Sequence, residues 1–111
     1  MGKKNISEKV KKHLDIAMGH AEEGSVIEME FVLLPVKETY SSDKKIASQI
    51  EDILSIGYRK GTSKSIGAAR KYAERGNAHK METELSFATE YANYIGANIE
   101  DECDHVRTTL A

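Results

Sequence analysis

The segment EDECDHVR, residues 100–107, contains the residue types best suited to holding a metal ion. Glu102 and His105 have the Glu-x-x-His spacing of carboxylate-bridged di-metal sites in helical bundles. Such a site needs this motif twice, and the other half of the chain has no second copy. On a helix, Cys103 would lie on the apolar stripe, with Glu102 and His105 beside it. We therefore predict an acidic helix start with Cys103 in the core, and no metal or cofactor.

A basic segment, GYRKGTSKSIGAARK at residues 57–71, could bind a phosphate or a nucleic acid. It contains no acidic residue, and its basic residues are Arg59, Lys60, Lys64, Arg70 and Lys71. A second basic cluster lies within residues 3–12. Glycines before a helix capped by Ser63 or Ser65 would leave backbone N–H groups for a phosphate, and Tyr58 could stack on a base. The segment does not match a Walker loop, so a solvated loop is the alternative interpretation.

The composition describes one ordinary domain, residues 1–111. Of its residues, 40% are apolar and 31% charged, and the net charge of −2 does not point to nucleic acid. One cysteine cannot form an intrachain disulfide, and the longest apolar run, FVLLPV, is too short for a membrane span. We predict a cytoplasmic protein without a membrane partner. No Ser/His/Asp, Cys/His or paired-carboxylate arrangement is recognisable, so no catalytic residue is predicted.

A repeated pattern predicts the helices that carry these residues. The stretch AEEGSVIEME at 21–30 returns as AERGNAHKME at 73–82, an offset of 73 − 21 = 52. After each stretch begins, apolar residues advance by 3 and 4 positions, which places them on one side of an α-helix. The first stripe is Val26, Met29, Leu33, Val36 and Tyr40, and the second is Ala78, Met81, Leu85, Ala88, Ala92 and Ile95.

Glycine and polar residues before each stripe predict a helical hairpin. Gly24 and Gly76 fall where a helix ends in a left-handed residue, a conformation that glycine adopts without steric cost. Ser25 and Asn77 follow as N-caps of the next helix, and Ser25 has capping-box spacing to Glu28. Each copy is therefore predicted to fold as two antiparallel helices joined by a sharp turn.

A third helix is predicted after each hairpin, from apolar residues at helical spacing. These helices cover about 43–57 and about 98–110, the latter with Asn98 as its cap. The predicted fold class is therefore all-α, a helical bundle of two similar three-helix units with about six helices. The internal repeat would comprise residues 1–58 and 59–111.

Residues 26–36 leave two interpretations open. The stretch SVIEMEFVLLPV alternates between apolar and polar residues and is rich in β-branched residues, as a strand would be. Pro35 would also interrupt a helix, at about 3 kcal/mol in the interior. Its counterpart in the second copy is rich in Ala, Glu, Met and Leu, which favour helix. We predict a helix kinked near Pro35, with a strand as the alternative.

The second hairpin resembles a tetratricopeptide-type helical hairpin. It matches the small, aromatic, turn and apolar positions of that family with Ala69, Tyr72, Gly76, Asn77, Leu85 and Ala88. In the first hairpin His20 replaces the aromatic residue, and the other matches are Ala17, Gly24, Ser25 and Leu33. The 52-residue offset departs from the 34-residue repeat of the family. The resemblance implies a hairpin architecture and, by analogy, a role in binding other proteins.

A further apolar stripe predicts an interaction surface. Ile27, Phe31 and Leu34 lie on another side of the first hairpin's second helix, and their equivalents in the second copy are His79, Thr83 and Ser86. Either that helix is buried on all sides within its bundle, or the stripe binds a partner, because an exposed apolar strip is a liability.

These observations predict two functions. The first is a small cytosolic interaction or assembly module that binds a protein partner or itself, as a homo-oligomer, through Ile27, Phe31 and Leu34. The alternative is a nucleic-acid-binding accessory protein that uses the basic segments 57–71 and 3–12. An enzymatic or metal-binding role ranks third, because no site for it is recognisable in the sequence.

Overall fold

The structure consists of α-helices joined by short turns. The computed structural model describes residues 2–111, with side chains from residue 8 onwards, and this part of the chain contains no β-strand. The helices are α1 (Gly2–Glu22), α2 (Val26–Thr39), α3 (Lys44–Glu74), α4 (Ala78–Tyr94) and α5 (Glu100–Thr108). The all-α prediction is confirmed. None of the described helices is apolar over the length needed to cross a membrane.

Residues 26–36 are helical, so the strand interpretation is wrong. α2 includes Pro35 in its interior and continues past it to Thr39. Because Pro35 has no N–H, the carbonyl of Phe31 does not receive the hydrogen bond that residue 35 would supply. Pro35 is exposed, whereas the opposite side of α2 is held by four buried residues, Val26, Met29, Leu33 and Val36. The kink near Pro35 stays a prediction.

The prediction of about six helices is wrong for the described residues, because α3 is continuous. It runs from Lys44 to Glu74, so the helix predicted at 43–57 and the first helix of the second hairpin are one element. Asp43 caps its start, since Oδ1 of Asp43 accepts hydrogen bonds from the N–H groups of Lys45 and Ile46, at 3.1 Å each.

The turn-forming residues of the segment 57–71 are accommodated inside α3. Gly57 and Gly61 are buried and lie within the helix. Thr62 donates its hydroxyl hydrogen to the carbonyl of Tyr58, one turn earlier, at 2.7 Å. A hydroxyl satisfied by its own helix no longer favours a turn, and buried glycines allow close packing. Packing therefore overrides the local preference for a break.

The α1–α2 and α3–α4 turns have the same geometry at the 52-residue offset. Gly24 and Gly76 have φ of 71° and 72°, as the left-handed prediction requires. Each donates its N–H to the carbonyl three residues back at 3.0 Å, and the next residue donates to the carbonyl five residues back at 2.9 Å. These two bonds define a Schellman-type helix end.

The predicted N-caps of α2 and α4 differ in their hydrogen bonds. Oδ1 of Asn77 accepts a hydrogen bond from the N–H of Lys80 at 3.1 Å, so this cap is confirmed. Ser25 makes no side-chain capping bond, so the predicted capping box with Glu28 is wrong. Both residues have ψ near 80°, at 76° and 81°, rather than the extended value usual at an N-cap. At this ψ the longer asparagine side chain reaches the amide.

Internal packing divides the chain into two compact units, unit 1 up to Gly57 and unit 2 from Tyr58 to Ala111. The core of unit 1 consists of Val10, Leu14, Ala17, Ala21, Val26, Met29, Leu33, Val36, Ile50 and Ile53. The core of unit 2 consists of Ala69, Ala73, Met81, Leu85, Ala88, Ala92, Ile99, Cys103 and Val106. Most residues of the two predicted stripes are therefore buried, although Ala78 is exposed.

Gly57 lets α3 pack closely in unit 1. A Cβ atom at this position would collide with Sδ of Met29 and would lie 2.6 Å from its Cε and 3.4 Å from Cβ of Ala21. Met29 is fully buried and so has little room to move. Gly67, in the same helix, has no such neighbour within 4 Å. The absence of a side chain therefore matters at Gly57.

Candidate interaction surfaces

The α2 stripe, Ile27, Phe31 and Leu34, lies on the outer face of α2. Its three side chains are 69%, 80% and 53% exposed, respectively. The interpretation that α2 is buried on all sides is therefore wrong. The equivalent residues of α4 are also exposed, but they are His79, Thr83 and Ser86. The α2 stripe is thus an apolar surface that unit 2 lacks at the same positions.

The charges around the α2 stripe are mainly acidic. At about 100° per residue, Glu28 and Glu30 lie on opposite sides of the stripe, and Glu38 continues it towards the end of the helix. Lys37 is the basic residue of this exposed face. The outer face of α2 therefore combines three apolar side chains with a net negative charge.

The basic residues of the segment 57–71 lie together on one face of α3. Helix geometry places them within an arc of about 140° and over about 18 Å along the axis. All are exposed, and we call Arg59, Lys60, Lys64, Arg70 and Lys71 the basic face of α3. Acidic residues are absent between Asp52 and Glu74. The structure therefore brings the predicted cationic residues together on a single helix.

The predicted phosphate site at a helix start in this segment is wrong. The segment lies in the middle of α3, where backbone N–H groups are used within the helix. Ser63 and Ser65 therefore do not cap a helix, and Ser65 is buried. In the second basic cluster, Lys9, Lys11 and Lys12 are exposed on α1. The side chains of Lys3 and Lys4 lie outside the described residues.

Tyr58 does not offer a ring face for stacking on a base, contrary to the prediction. It is 6% exposed, and its ring lies against that of Tyr94 with centroids 4.3 Å apart and an interplanar angle of 9°. Burying the ring of Tyr58 is favourable, which helps to keep this part of the segment in a packed helix rather than a solvated loop.

Tyr58 belongs to a row of aromatic rings that was not predicted from the sequence. Tyr91 lies 6.1 Å from Tyr58 between centroids, and Phe87 lies 6.3 Å from Tyr91. Phe87 and Tyr94 are 41% and 61% exposed. The signal was the spacing of 87, 91 and 94, which are 4 and 3 residues apart and so share one side of α4.

The segment EDECDHVR forms the acidic start of α5, as predicted. Cys103 is 4% exposed in the core of unit 2, with its Sγ 3.9 Å from Oγ1 of Thr89. Glu102 and His105 are both exposed. Nowhere among the described residues do three or more His, Cys, Asp or Glu side chains converge as metal ligands.

Arg107 joins α5 to α4. Its Nε and Nη2 donate hydrogen bonds to the two carboxylate oxygens of Glu82, and Nη1 donates to Oδ1 of Asp104, all at 2.9 Å. These bonds lower the pKa of Glu82 and raise the pKa of Arg107, because they stabilise both charged forms. Arg107 is thereby committed to neighbouring carboxylates, which makes it a structural residue.

Unit 1 also contains a cleft of about 880 Å³ between α1 and the first turns of α3. Apolar side chains line it, namely Val10, Leu14, Met18, Ile46 and Ile53, with charged residues Lys11, Asp15, Lys45 and Asp52 around them. In the sequence these apolar residues cannot be told from core residues. No buried, unsatisfied side-chain polar atom occurs in the described part of the chain. The cleft therefore indicates no particular ligand class.

No protein-family model matches the chain, and no curated protein and no solved structure is significantly similar to it. The resemblance to tetratricopeptide-type hairpins is thus limited to the residues named above. The function has to be inferred from the surfaces of this chain itself.

Proposed function

We propose that this protein is a small helical interaction or assembly module that associates with itself through the α2 stripe. In this proposal it consists of two copies of one three-helix unit, acts in the cytoplasm and uses no cofactor. The observation that carries the proposal is the exposure of Ile27, Phe31 and Leu34, at 69%, 80% and 53%.

The energetics support this reading of the stripe. Burying one large apolar side chain contributes roughly 1.5–3 kcal/mol, so three together favour association by several kcal/mol. Polar residues at the equivalent positions of α4 are exposed as well, which indicates that this helical fold does not need apolar residues there. Residues unnecessary for folding, and unfavourable in water, are typical of a contact surface.

Analytical ultracentrifugation tests the proposal. The wild type should form oligomers at micromolar concentrations, and Phe31→Glu should make it monomeric because the largest apolar side chain of the stripe would be lost from the contact. A variant with the residues of unit 2, Ile27→His/Phe31→Thr/Leu34→Ser, should behave in the same way while keeping its helicity. Thr83→Glu, at the equivalent position of α4, is the matched control and should not change the oligomer.

A wild type that remains monomeric at high micromolar concentration, with no change on Phe31→Glu, would exclude this function. Circular dichroism of every variant separates the loss of association from the loss of folding.

The basic face of α3 favours a second candidate function, nucleic-acid binding. Its five cations lie on one continuous helix face, where they could follow a phosphate backbone. Fluorescence anisotropy with single-stranded RNA or DNA should then show binding that weakens with salt. Arg59→Gln/Lys60→Gln/Lys64→Gln should weaken it further, whereas Lys37→Gln/Lys44→Gln/Lys45→Gln should have less effect. Absence of binding at low salt excludes this function.

A further inference from the structure

We propose that the α2 stripe of one copy docks on the basic face of α3 of a second copy, so that two different surfaces form the contact. This inference rests on the proposed self-association and identifies the surface that receives the stripe. It unites the two candidate surfaces of the chain in one interaction.

Charge complementarity selects the basic face of α3 as the receiving surface. The outer face of α2 contains Glu28 and Glu38 beside one lysine, Lys37. Two α2 faces brought together would place like charges near each other, which is unfavourable. Four exposed cations of the basic face of α3, Arg59, Lys60, Arg70 and Lys71, oppose the acidic residues around the stripe.

The two surfaces also have matching lengths. Glu28 and Glu38, near the two ends of the α2 stripe, are ten residues apart, which corresponds to about 15 Å along the helix. Lys60 and Lys71 are eleven residues apart, or about 16.5 Å, on one side of α3. One helix laid along the other can therefore place a cation near each of these glutamates.

The backbone of α2 also needs a hydrogen-bond donor at the contact, and basic side chains can supply one. Pro35 supplies no hydrogen bond to the carbonyl of Phe31, which lies beside the stripe. Covering that carbonyl without giving it a donor is unfavourable, because a buried acceptor would be left unsatisfied. Lysine and arginine carry several N–H donors and no acceptor, and their aliphatic stems can cover Ile27 and Leu34. A guanidinium can also lie over the ring of Phe31.

A contact between different surfaces has a consequence for assembly. Each copy has one α2 stripe to offer and one basic face of α3 to receive a stripe. Contacts of this kind close in a two-fold dimer or a larger ring, or extend into open chains. Because the contact is partly ionic, added salt should weaken it.

Complementary variants test this arrangement. The α2 variant, Ile27→His/Phe31→Thr, retains the basic face, and the α3 variant, Lys60→Glu/Lys71→Glu, retains the stripe. Sedimentation velocity should show each variant as a monomer alone. An equimolar mixture should form a 1:1 complex that grows no further. The intact stripe of the α3 variant can bind the intact basic face of the α2 variant, and no further pair of intact surfaces is then left. Adding Glu28→Lys/Glu38→Lys to the α3 variant should restore its self-association.

Different results distinguish the failure of this inference from that of the proposed function. A wild type that is monomeric at all concentrations, even if it binds RNA through the basic face, overturns both. If the wild type and the α3 variant associate equally well and the mixture forms no 1:1 complex, the α2 stripe docks elsewhere and only the inference is overturned. Lys60→Gln/Lys71→Gln replaces the α3 variant if circular dichroism shows that the latter does not fold.

Discussion

Units 1 and 2 share their inner structure and differ in their outer faces. Both hairpins turn at a left-handed glycine with the same pair of backbone hydrogen bonds, and both bury a methionine and a leucine at the same positions. On the outside, unit 1 has the apolar α2 stripe, where unit 2 has polar residues. Packing therefore constrains the residues of the inner face, whereas the residues of the outer face can differ between the units.

Unit 2 has an outer surface of another kind. Its aromatic residues Phe87, Tyr91 and Tyr94 occupy positions where unit 1 has Pro35, Thr39 and Ser42. The rings of unit 2 contact one another and Tyr58, so part of their area is already buried. Phe31, the aromatic residue of the α2 stripe, is in none of the described ring pairs. The three residues of the stripe are also more exposed on average than the aromatic residues of unit 2. This difference is why the proposed self-association uses unit 1 rather than unit 2.

The largest expected effect is a loss of folding stability when a core leucine of either unit is truncated. Leu33→Ala and Leu85→Ala should each lower the free energy of unfolding by about 2–5 kcal/mol, because both side chains are buried and each change leaves a cavity. Urea denaturation followed by circular dichroism measures both. Leu34→Ala, at the neighbouring exposed position, should change stability by less than about 0.5 kcal/mol in the monomer. A loss of stability well below this range at either leucine would show that the two cores are not equivalent.

The next effect compares two glycines of α3, one in each unit. Gly57→Ala should lower the free energy of unfolding by about 1–3 kcal/mol, because the new methyl group collides with Met29. Gly67→Ala should raise it by up to about 1 kcal/mol, because its methyl group meets open space and alanine favours helix. Thermal and urea unfolding of the two variants measure this difference. Equal effects of the two substitutions would contradict the close packing at Gly57.

The smallest effect concerns an ion pair present in unit 2. The positions of Glu82 and Arg107 correspond to Glu30 and Ser55 in unit 1. Glu82→Gln should lower the free energy of unfolding by less than about 1 kcal/mol, because both partners are about half exposed. Glu90→Gln, an exposed change elsewhere on α4, is the control.

This effect should depend on pH in one direction. Arg107 lowers the pKa of Glu82 in the folded state, so the folded protein binds this proton less readily than the unfolded chain. The stabilisation is therefore complete above the unfolded pKa and is lost as the pH falls through the folded pKa. The free energies of unfolding of the wild type and Glu82→Gln, measured by urea denaturation at a series of pH values, should therefore become equal in acid. A difference that persists there would show that the ion pair is not its cause.

The hairpins could be predicted from the sequence because their determinants are local. A left-handed glycine, a following polar residue and apolar residues at helical spacing lie within a few turns of each other. The break predicted near Gly57 failed because that position depends on contacts distant in sequence, with Met29 and Ala21. The preference of glycine and serine for turns is weak compared with the burial of Tyr58 and its neighbours.

The candidate surfaces were only partly predictable for a related reason. Periodicity showed that α2 has apolar residues on two sides, but it cannot tell which side other helices cover. The row of aromatic rings depends on how α3 and α4 are aligned, since Tyr58 comes from one and Tyr94 from the other. The basic face of α3 followed from composition, whereas its form, a helix face rather than a loop, required the structure.

The stacked tyrosines provide an optical reporter of one half of the molecule. The chain has no tryptophan, and four of its five tyrosines, including the stacked Tyr58, Tyr91 and Tyr94, belong to unit 2. Near-ultraviolet dichroism and tyrosine emission will therefore respond mainly to events in the C-terminal half. Comparing such signals with far-ultraviolet dichroism, which senses every helix, offers a label-free way to learn whether both halves melt at one temperature.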